Sequence, residues 1–181
     1  MKNYVKPTLV LFLICFIATF LLGLTNSVTA PIIDKLAVET EIKSRQTVFP
    51  EAVSFGEPET KSDGTSVVAA LDEAGNKIGY VVVNSAKGYG GDISVMTGVD
   101  AEGKVTGVNI LSHAETAGLG ANATTEKFRN QFVNLVAGIT VSKDKAGENS
   151  IDALTGATIT SRAVTDAVNA AIEAAGGENN G

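Results

Sequence analysis

SVVAALDEAGNKIGYVVVN, residues 66–84, and ISVMTGVDAEGKVTGVNIL, residues 93–111, decide the fold class. Each stretch holds two apolar runs of strand length around a polar link. In the first, Ser66 to Leu71 and Lys77 to Asn84 flank Asp72-Glu73-Ala74-Gly75-Asn76; in the second, Ile93 to Val99 and Lys104 to Leu111 flank Asp100-Ala101-Glu102-Gly103. Val- and Ile-rich runs bounded by Gly, Asn and Asp form strands. Links this short cannot hold the crossover that parallel strands need, so each stretch is an antiparallel hairpin.

Working outward toward the C-terminus, Phe128, Phe132 and Leu135 lie at helical spacing, which predicts a helix from about Thr125 to Val136. A short strand is expected around Ile139 to Val141. The last helix is expected from near Ser161 to near Ala175, with Val164, Val168, Ala171, Ile172 and Ala175 as one apolar stripe. Thr160 suits its N-cap, and Gly176-Gly177 its stop. Toward the N-terminus, Gly56 to Gly64 has the composition of an irregular, disordered-looking segment. Before it, Ile33, Leu36, Val38 and Ile42 mark one face of a helix over 32–47, ended by Phe49-Pro50. Together these make an α+β chain: an antiparallel β-meander sheet with flanking helices.

Thr8 to Leu24 reads TLVLFLICFIATFLLGL and carries no charge. At roughly 1.5 Å per residue such a helix runs about 26 Å, and Thr25 to Val28 extend it to the ~30 Å of a hydrocarbon core. It is therefore a transmembrane helix preceding the sheet, or a signal peptide. Val28-Thr29-Ala30 roughly suits a cleavage site, but Pro31 follows it, which favours an uncleaved single-pass anchor in the cell (inner) membrane. Lys2 and Lys6 are expected to stay cytoplasmic, with the domain on the extracytoplasmic side. The expected layout is an anchor over 1–30, a helical stalk over 31–50, a domain over 51–177 and a tail over 178–181.

Composition narrows the chemistry. The chain has 181 residues with one His, one Cys and no Trp. An iron–sulfur cluster or c-type haem needs more cysteines, and structural zinc needs about four Cys or His ligands. No metal site is expected, and any redox work falls to an organic cofactor. Lys2 and Lys6 precede the first acidic residue, Asp34, so the remainder carries 12 of the 14 basic and all 20 acidic residues, a net of −8. An acidic domain without a basic cluster argues against a nucleic-acid partner. No acid–base pair or nucleophile points to substrate turnover by this chain alone.

The stretch that carries chemistry is Asp152-Ala153-Leu154-Thr155-Gly156-Ala157-Thr158-Ile159-Thr160-Ser161. It joins a flexible glycine, a dense set of hydroxyls and a helix start. Helix N-termini attract anions through unpaired N–H groups and the helix dipole, and Gly156 permits close backbone approach. A phosphate fits here. So does a plain capping loop whose hydroxyls only satisfy backbone donors.

Asp-x-x-(Ser/Thr)-Gly-Ala-(Ser/Thr) resembles the flavinylation motif of the extracytoplasmic FMN-binding domain family, matched at Asp152, Thr155, Gly156, Ala157 and Thr158. The resemblance implies covalent FMN, transferred from FAD by a flavin transferase and phosphoester-linked to Thr158, with Thr160 and Ser161 as phosphate or cap donors. Ser112-His113-Ala114-Glu115-Thr116-Ala117-Gly118-Leu119-Gly120 resembles the family's His-x-Glu-Thr-Pro-Gly-Leu-Gly loop, with Ala117 in place of proline. It implies that Thr116 and Leu119 contact the flavin, that Gly118 and Gly120 let the backbone approach the ring, and that Glu115 orders the loop. Gly88-Tyr89-Gly90-Gly91 resembles the run before the family's second hairpin, a tight turn that leaves open a place for Tyr89 near the ring.

Within the family, the short length and single anchor are most similar to the G subunits of Rnf complexes, ion-translocating electron-transport assemblies linking ferredoxin and NAD. The C subunits of sodium-pumping NADH:quinone reductases are close relatives and usually longer. The resemblance implies an electron-transfer flavoprotein whose partners are other membrane subunits of such a complex, with a flavin transferase for maturation. The alternatives are an anchored binding or assembly module without redox function, the equivalent subunit of a Na+-translocating NADH:quinone reductase, and a catalytic reductase with a standalone FMN.

Overall fold

The computed structural model describes residues 2–142 and 147–179, with side chains described outside residues 2–6, 28, 31–39 and 177–179. The chain divides into two compact units, Met1–Ile42 and Lys43–Gly181.

The first unit is helical throughout its described length and forms most of α1, Lys2–Val48. Pro7–Ser27 has a mean hydropathy of 2.6 and no buried residues, so it is long and apolar enough to cross a membrane. Phe12, Phe16 and Phe20 stack along it with centroids 6.3 and 6.4 Å apart. Its hydroxyls are consumed internally: Thr19 donates to the Cys15 carbonyl at 2.8 Å and Thr25 to that of Leu21 at 2.9 Å. Satisfying polar groups within the helix is what a lipid environment demands. Of the face expected beyond Pro31, Ile33, Leu36 and Val38 lie outside the described side chains, and Ile42 is exposed.

The second unit is built on the meander that residues 66–111 announce. β3 (Ser66–Leu71), β4 (Lys77–Lys87), β5 (Asp92–Asp100) and β6 (Val105–Ser112) pair antiparallel in sequence order. The two expected hairpins are thus joined into one sheet: β4 and β5 pair from Gly79↔Asp100 to Lys87↔Asp92, closing on the turn Gly88–Gly91. The segment before the meander is largely irregular, as expected, but two short strands punctuate it. β1 (Ser54–Phe55) and β2 (Glu59–Thr60) both line the outer edge of β3, with Ser54 opposite Leu71 and Thr60 opposite Ser66. Strands of two residues are too short to leave an apolar period, which is why composition hides them.

Both faces of the sheet are covered, so its central strands read as continuous apolar runs and not as alternation. On one face Tyr80, Val82, Val95, Val99 and Val108 pack with Val164, Val168 and Ala171 of the last helix and with Phe128 and Phe132. On the other, Val81, Met96 and Ala70 meet Val48, Phe49 and Ala52 at the end of α1. Two glycines admit that end. A Cβ on Gly107 would stand 2.8 Å from the Val48 Cα, and one on Gly98 would strike the Val48 carbonyl. Thr106 Oγ1 donates to the same carbonyl at 2.6 Å and so caps α1.

The helix expected to reach Val136 is shorter. α2 covers Glu126–Arg129 and tightens into a 3-10 turn at Asn130–Phe132. Asn134 takes φ 66°, a left-handed conformation that asparagine tolerates. The chain thereby turns back, and its amide reaches the Val105 carbonyl at 2.8 Å. β7 (Thr140–Val141) pairs parallel with β8 (Ser150–Ile151). The last helix, α3, spans Thr158–Asn179: it starts three residues before Ser161 and runs through Gly176-Gly177. Glycine lowers helix stability by about 1 kcal/mol per residue without forbidding the helix.

Candidate functional site

The site grows from the turn that delivers the chain into α3. Gly156 has φ 76°, which residues with a side chain rarely adopt. The Ala157 amide closes the turn onto the Leu154 carbonyl at 3.0 Å, and the Ser161 amide makes the first helical bond to the Ala157 carbonyl at 3.0 Å. Ser161 is fully buried, its Oγ accepting from the Leu154 amide and donating to the Ala157 carbonyl, each at 2.9 Å. Its hydroxyl therefore stitches the turn to the helix and is not turned to a phosphate. Thr158 is half-buried and is the first residue of α3. Thr158 thus stands at the dipole's positive end, two residues after the turn at Gly156.

Thr160 does not cap the helix as its sequence position predicts. It lies inside the first turn, 1% exposed, and its hydroxyl donates to Glu115 Oε2. Glu115, 9% exposed, also accepts the Gly90 amide on Oε1 at 2.8 Å. One carboxylate thus ties the β4–β5 turn, its own loop and the first turn of α3. Gly120 makes this possible: a Cβ there would stand 2.7 Å from Thr160 Oγ1 and 2.9 Å from the Glu115 Cβ. Burial pushes the Glu115 carboxyl up, but the Thr160 hydroxyl, the Gly90 and Tyr89 amides and nearby His113 outweigh it and hold it below the ordinary carboxylate range. His113 Nδ1 accepts the Glu115 amide at 3.2 Å, so His113 orders the loop.

These elements enclose a cleft of about 530 Å³, within the range of small-molecule and cofactor sites. Glu115, Thr116, Leu119 and Gly120 form one wall; Gly156, Ala157, Thr158, Ile159 and Thr160 form another; Tyr89 stands at the rim, 73% exposed. Leu119 and Ile159 are 44% and 51% exposed. The cleft thus combines apolar and aromatic surface suited to a flat ring with a helix start suited to phosphate.

Besides Ser161, three residues singled out by sequence stand elsewhere. Asp152 and Thr155 line a second hollow of about 460 Å³ with Thr125, Lys127, Phe128 and Gln131. There Asp152 Oδ1 accepts from Ser142 Oγ at 2.9 Å, and the Asp152 amide donates to Gln131 Oε1 at 2.8 Å. Gly118 serves the loop's own turn with φ 78°, its carbonyl accepting Asn122 Nδ2 at 3.0 Å. Conversely, Ile159 and Tyr89 line the cleft; Ile159 follows the last position of the motif and so carried no signal. Among the described residues, no three His, Cys, Asp or Glu side chains gather to hold a metal ion.

Residues 88–173 match the FMN-binding domain family, a span that opens at the Gly88 turn and closes within α3. The G subunit of the proton-translocating ferredoxin:NAD(+) oxidoreductase complex of Clostridium ljungdahlii is 39% identical over 161 residues, covering 88% of this chain and 84% of that protein. The G subunit of the Na(+)-translocating ferredoxin:NAD(+) oxidoreductase complex of Acetobacterium woodii is 36% identical over 194 residues, covering 95% and 91%. Among solved structures, the C subunit of the Na(+)-translocating NADH-quinone reductase of Parabacteroides distasonis shares the fold, with a TM-score of 0.51 and 23% identity over 60% of this chain and 59% of that one.

Proposed function

We propose, on the premise that the chain belongs to the family of ion-translocating oxidoreductase complex G subunits, that it is a membrane-anchored electron relay with FMN phosphoester-linked to Thr158. It works as one subunit of an ion-translocating ferredoxin:NAD oxidoreductase. Pro7–Ser27 is its anchor, and the domain is assigned to the extracytoplasmic side.

What most supports the attachment is the position of Thr158: a hydroxyl-bearing first residue of α3, half-exposed, in the wall of the cleft that also carries Leu119, Ile159 and Tyr89. Maturation requires a flavin transferase. The Thr158 oxygen forms a bond to the FMN phosphorus of FAD, the pyrophosphate bond breaks, AMP leaves and the hydroxyl proton is released. Nothing in this exchange touches the flavin ring. The helix start and the turn at Gly156 receive the resulting phosphodiester.

Bound FMN supplies reversible electron acceptance. The chain's own residues hold and shield it. Leu119 and Ile159 exclude water, Thr116 offers a polar contact, and Glu115 fixes the wall through Gly90 and Thr160. A covalent link prevents loss of the cofactor on the side of the membrane where it is not resupplied. Asp152 and Thr155, facing away from the cleft, suit recognition by the transferase or support of the turn better than contact with the ring.

In-gel flavin fluorescence after denaturation tests the assignment, with the full chain co-expressed with a flavin transferase. Thr158→Ala is expected to abolish the fluorescent band, while Thr155→Ala retains one. An equally bright Thr158→Ala band removes the attachment site. A colourless wild type under the same conditions favours a non-redox assembly module.

A further inference from the structure

We infer that Glu115 is a positioning residue that also acts electrostatically. Its buried carboxylate holds a fixed negative charge against the cleft and keeps the potential of a flavin bound there low. This deepens the proposed function and rests on it.

The geometry is unusual for a residue that only orders a loop. Both carboxylate oxygens are engaged, Oε1 by the Gly90 amide at 2.8 Å and Oε2 by the Thr160 hydroxyl. The side chain is 9% exposed and still lines the cleft. Three glycines crowd around it: a Cβ at Gly120 or Gly88 would strike its oxygens, and one at Gly90 would strike the Ala114 carbonyl. The carboxylate is therefore held in one place by donors that favour its charged form.

Few charged groups stand around that carboxylate, and Lys87, at the end of β4, is exposed. His113, on its own loop, acts on it, and Tyr89 lines the same cleft from the β4–β5 turn. Asp92, at the start of β5, is exposed. The first turn of α3 brings Thr158, Ile159 and Thr160, none ionisable, and Arg162 beyond them is exposed. The 3-10 turn Gly120–Thr124 carries no ionisable side chain. An electron delivered into the cleft by a redox partner adds negative charge beside a carboxylate that cannot swing away. In a low-dielectric wall that repulsion is larger than in water. No bond of the chain forms or breaks, and the electron comes wholly from the partner.

The test is spectroelectrochemical titration of purified, flavinylated full-length protein. Glu115→Gln removes the charge and keeps the shape: its amide oxygen accepts the Gly90 amide, and its Nε2 donates to the Thr160 hydroxyl, which can accept. Its midpoint potential is expected to be more positive than wild type at pH 8. Thr160→Val removes a donor and keeps the charge, so its potential is expected to stay near wild type. An unchanged potential in Glu115→Gln overturns the inference. So does a positive shift in Thr160→Val, which means that wall geometry and not charge sets the potential; this arm stands even where Glu115→Gln fails to accumulate. Wild type without covalent flavin sinks the proposed function instead, so the two failures are told apart. Thr158→Ala protein supplies a readout free of flavin: Glu115→Gln in that background is expected to lower the urea midpoint at neutral pH.

Discussion

At the scale of the residue, Glu115 decides whether the cleft has a wall. Its carboxyl is lowered because the Thr160 hydroxyl and the Gly90 and Tyr89 amides favour the ionised form by more than burial opposes it. A depressed carboxyl contributes stability that is present above its unfolded value, about 4.3 for glutamate, and lost as pH falls through the folded value. Wild type is therefore expected to be more stable than Glu115→Gln at pH 7, with the difference shrinking as pH drops below about 4. Urea unfolding of the two proteins across that interval measures it. A difference that grows on acidification contradicts the sign. This contact joins residues 45 positions apart, which no local pattern reveals. The resemblance pointed to Glu115 and Thr160 separately; only the fold joins them. Tyr89 escaped firm assignment for a related reason, since a tyrosine between glycines signals a turn and not what the turn faces.

At the scale of the element, what was legible followed from burial. The strands stood out because the packed sheet demands Val and Ile on both faces. The inner stripe of α3 stood out because Val164, Val168, Ala171, Ile172 and Ala175 are all buried. What was missed lay at the ends. Hydroxyls at Thr158, Thr160 and Ser161 all resemble caps, and the true start depends on the turn that Gly156 makes. The helix after Thr125 was overrun because Phe128 and Phe132 satisfy helical spacing, while their ring contact at 5.5 Å is made partly from a 3-10 turn. α3 itself is held by shape as much as by hydrophobicity. Val168 is fully buried against the sheet, and Val168→Ala is expected to cost about 2 kcal/mol, removed methyls plus the residual cavity. Chemical denaturation reads this as a lower midpoint with an unchanged slope. A loss below about 0.5 kcal/mol, the scale of ordinary surface changes, contradicts the packing described.

At the scale of the whole molecule, two units answer to two solvents. Met1–Ile42 exposes an apolar stretch, and Lys43–Gly181 contains the core, the cleft and both sheets. A chain lacking residues 1–42 is expected to remain in the supernatant after membranes are sedimented and still to accept flavin. The full chain is expected to stay with the membrane through a carbonate wash. Release of the full chain by that wash contradicts the anchor. The proposed attachment is narrower still: a single oxygen, on Thr158, as the carrier of the cofactor. Peptide mapping by mass spectrometry of the native full-length protein, from cells that contain a flavin transferase, tests it most directly. The fragment spanning residues 152–162 is expected to carry one FMN phosphodiester, with fragment ions locating it on Thr158. An unmodified fragment, or FMN located on Thr155, Thr160 or Ser161, contradicts it.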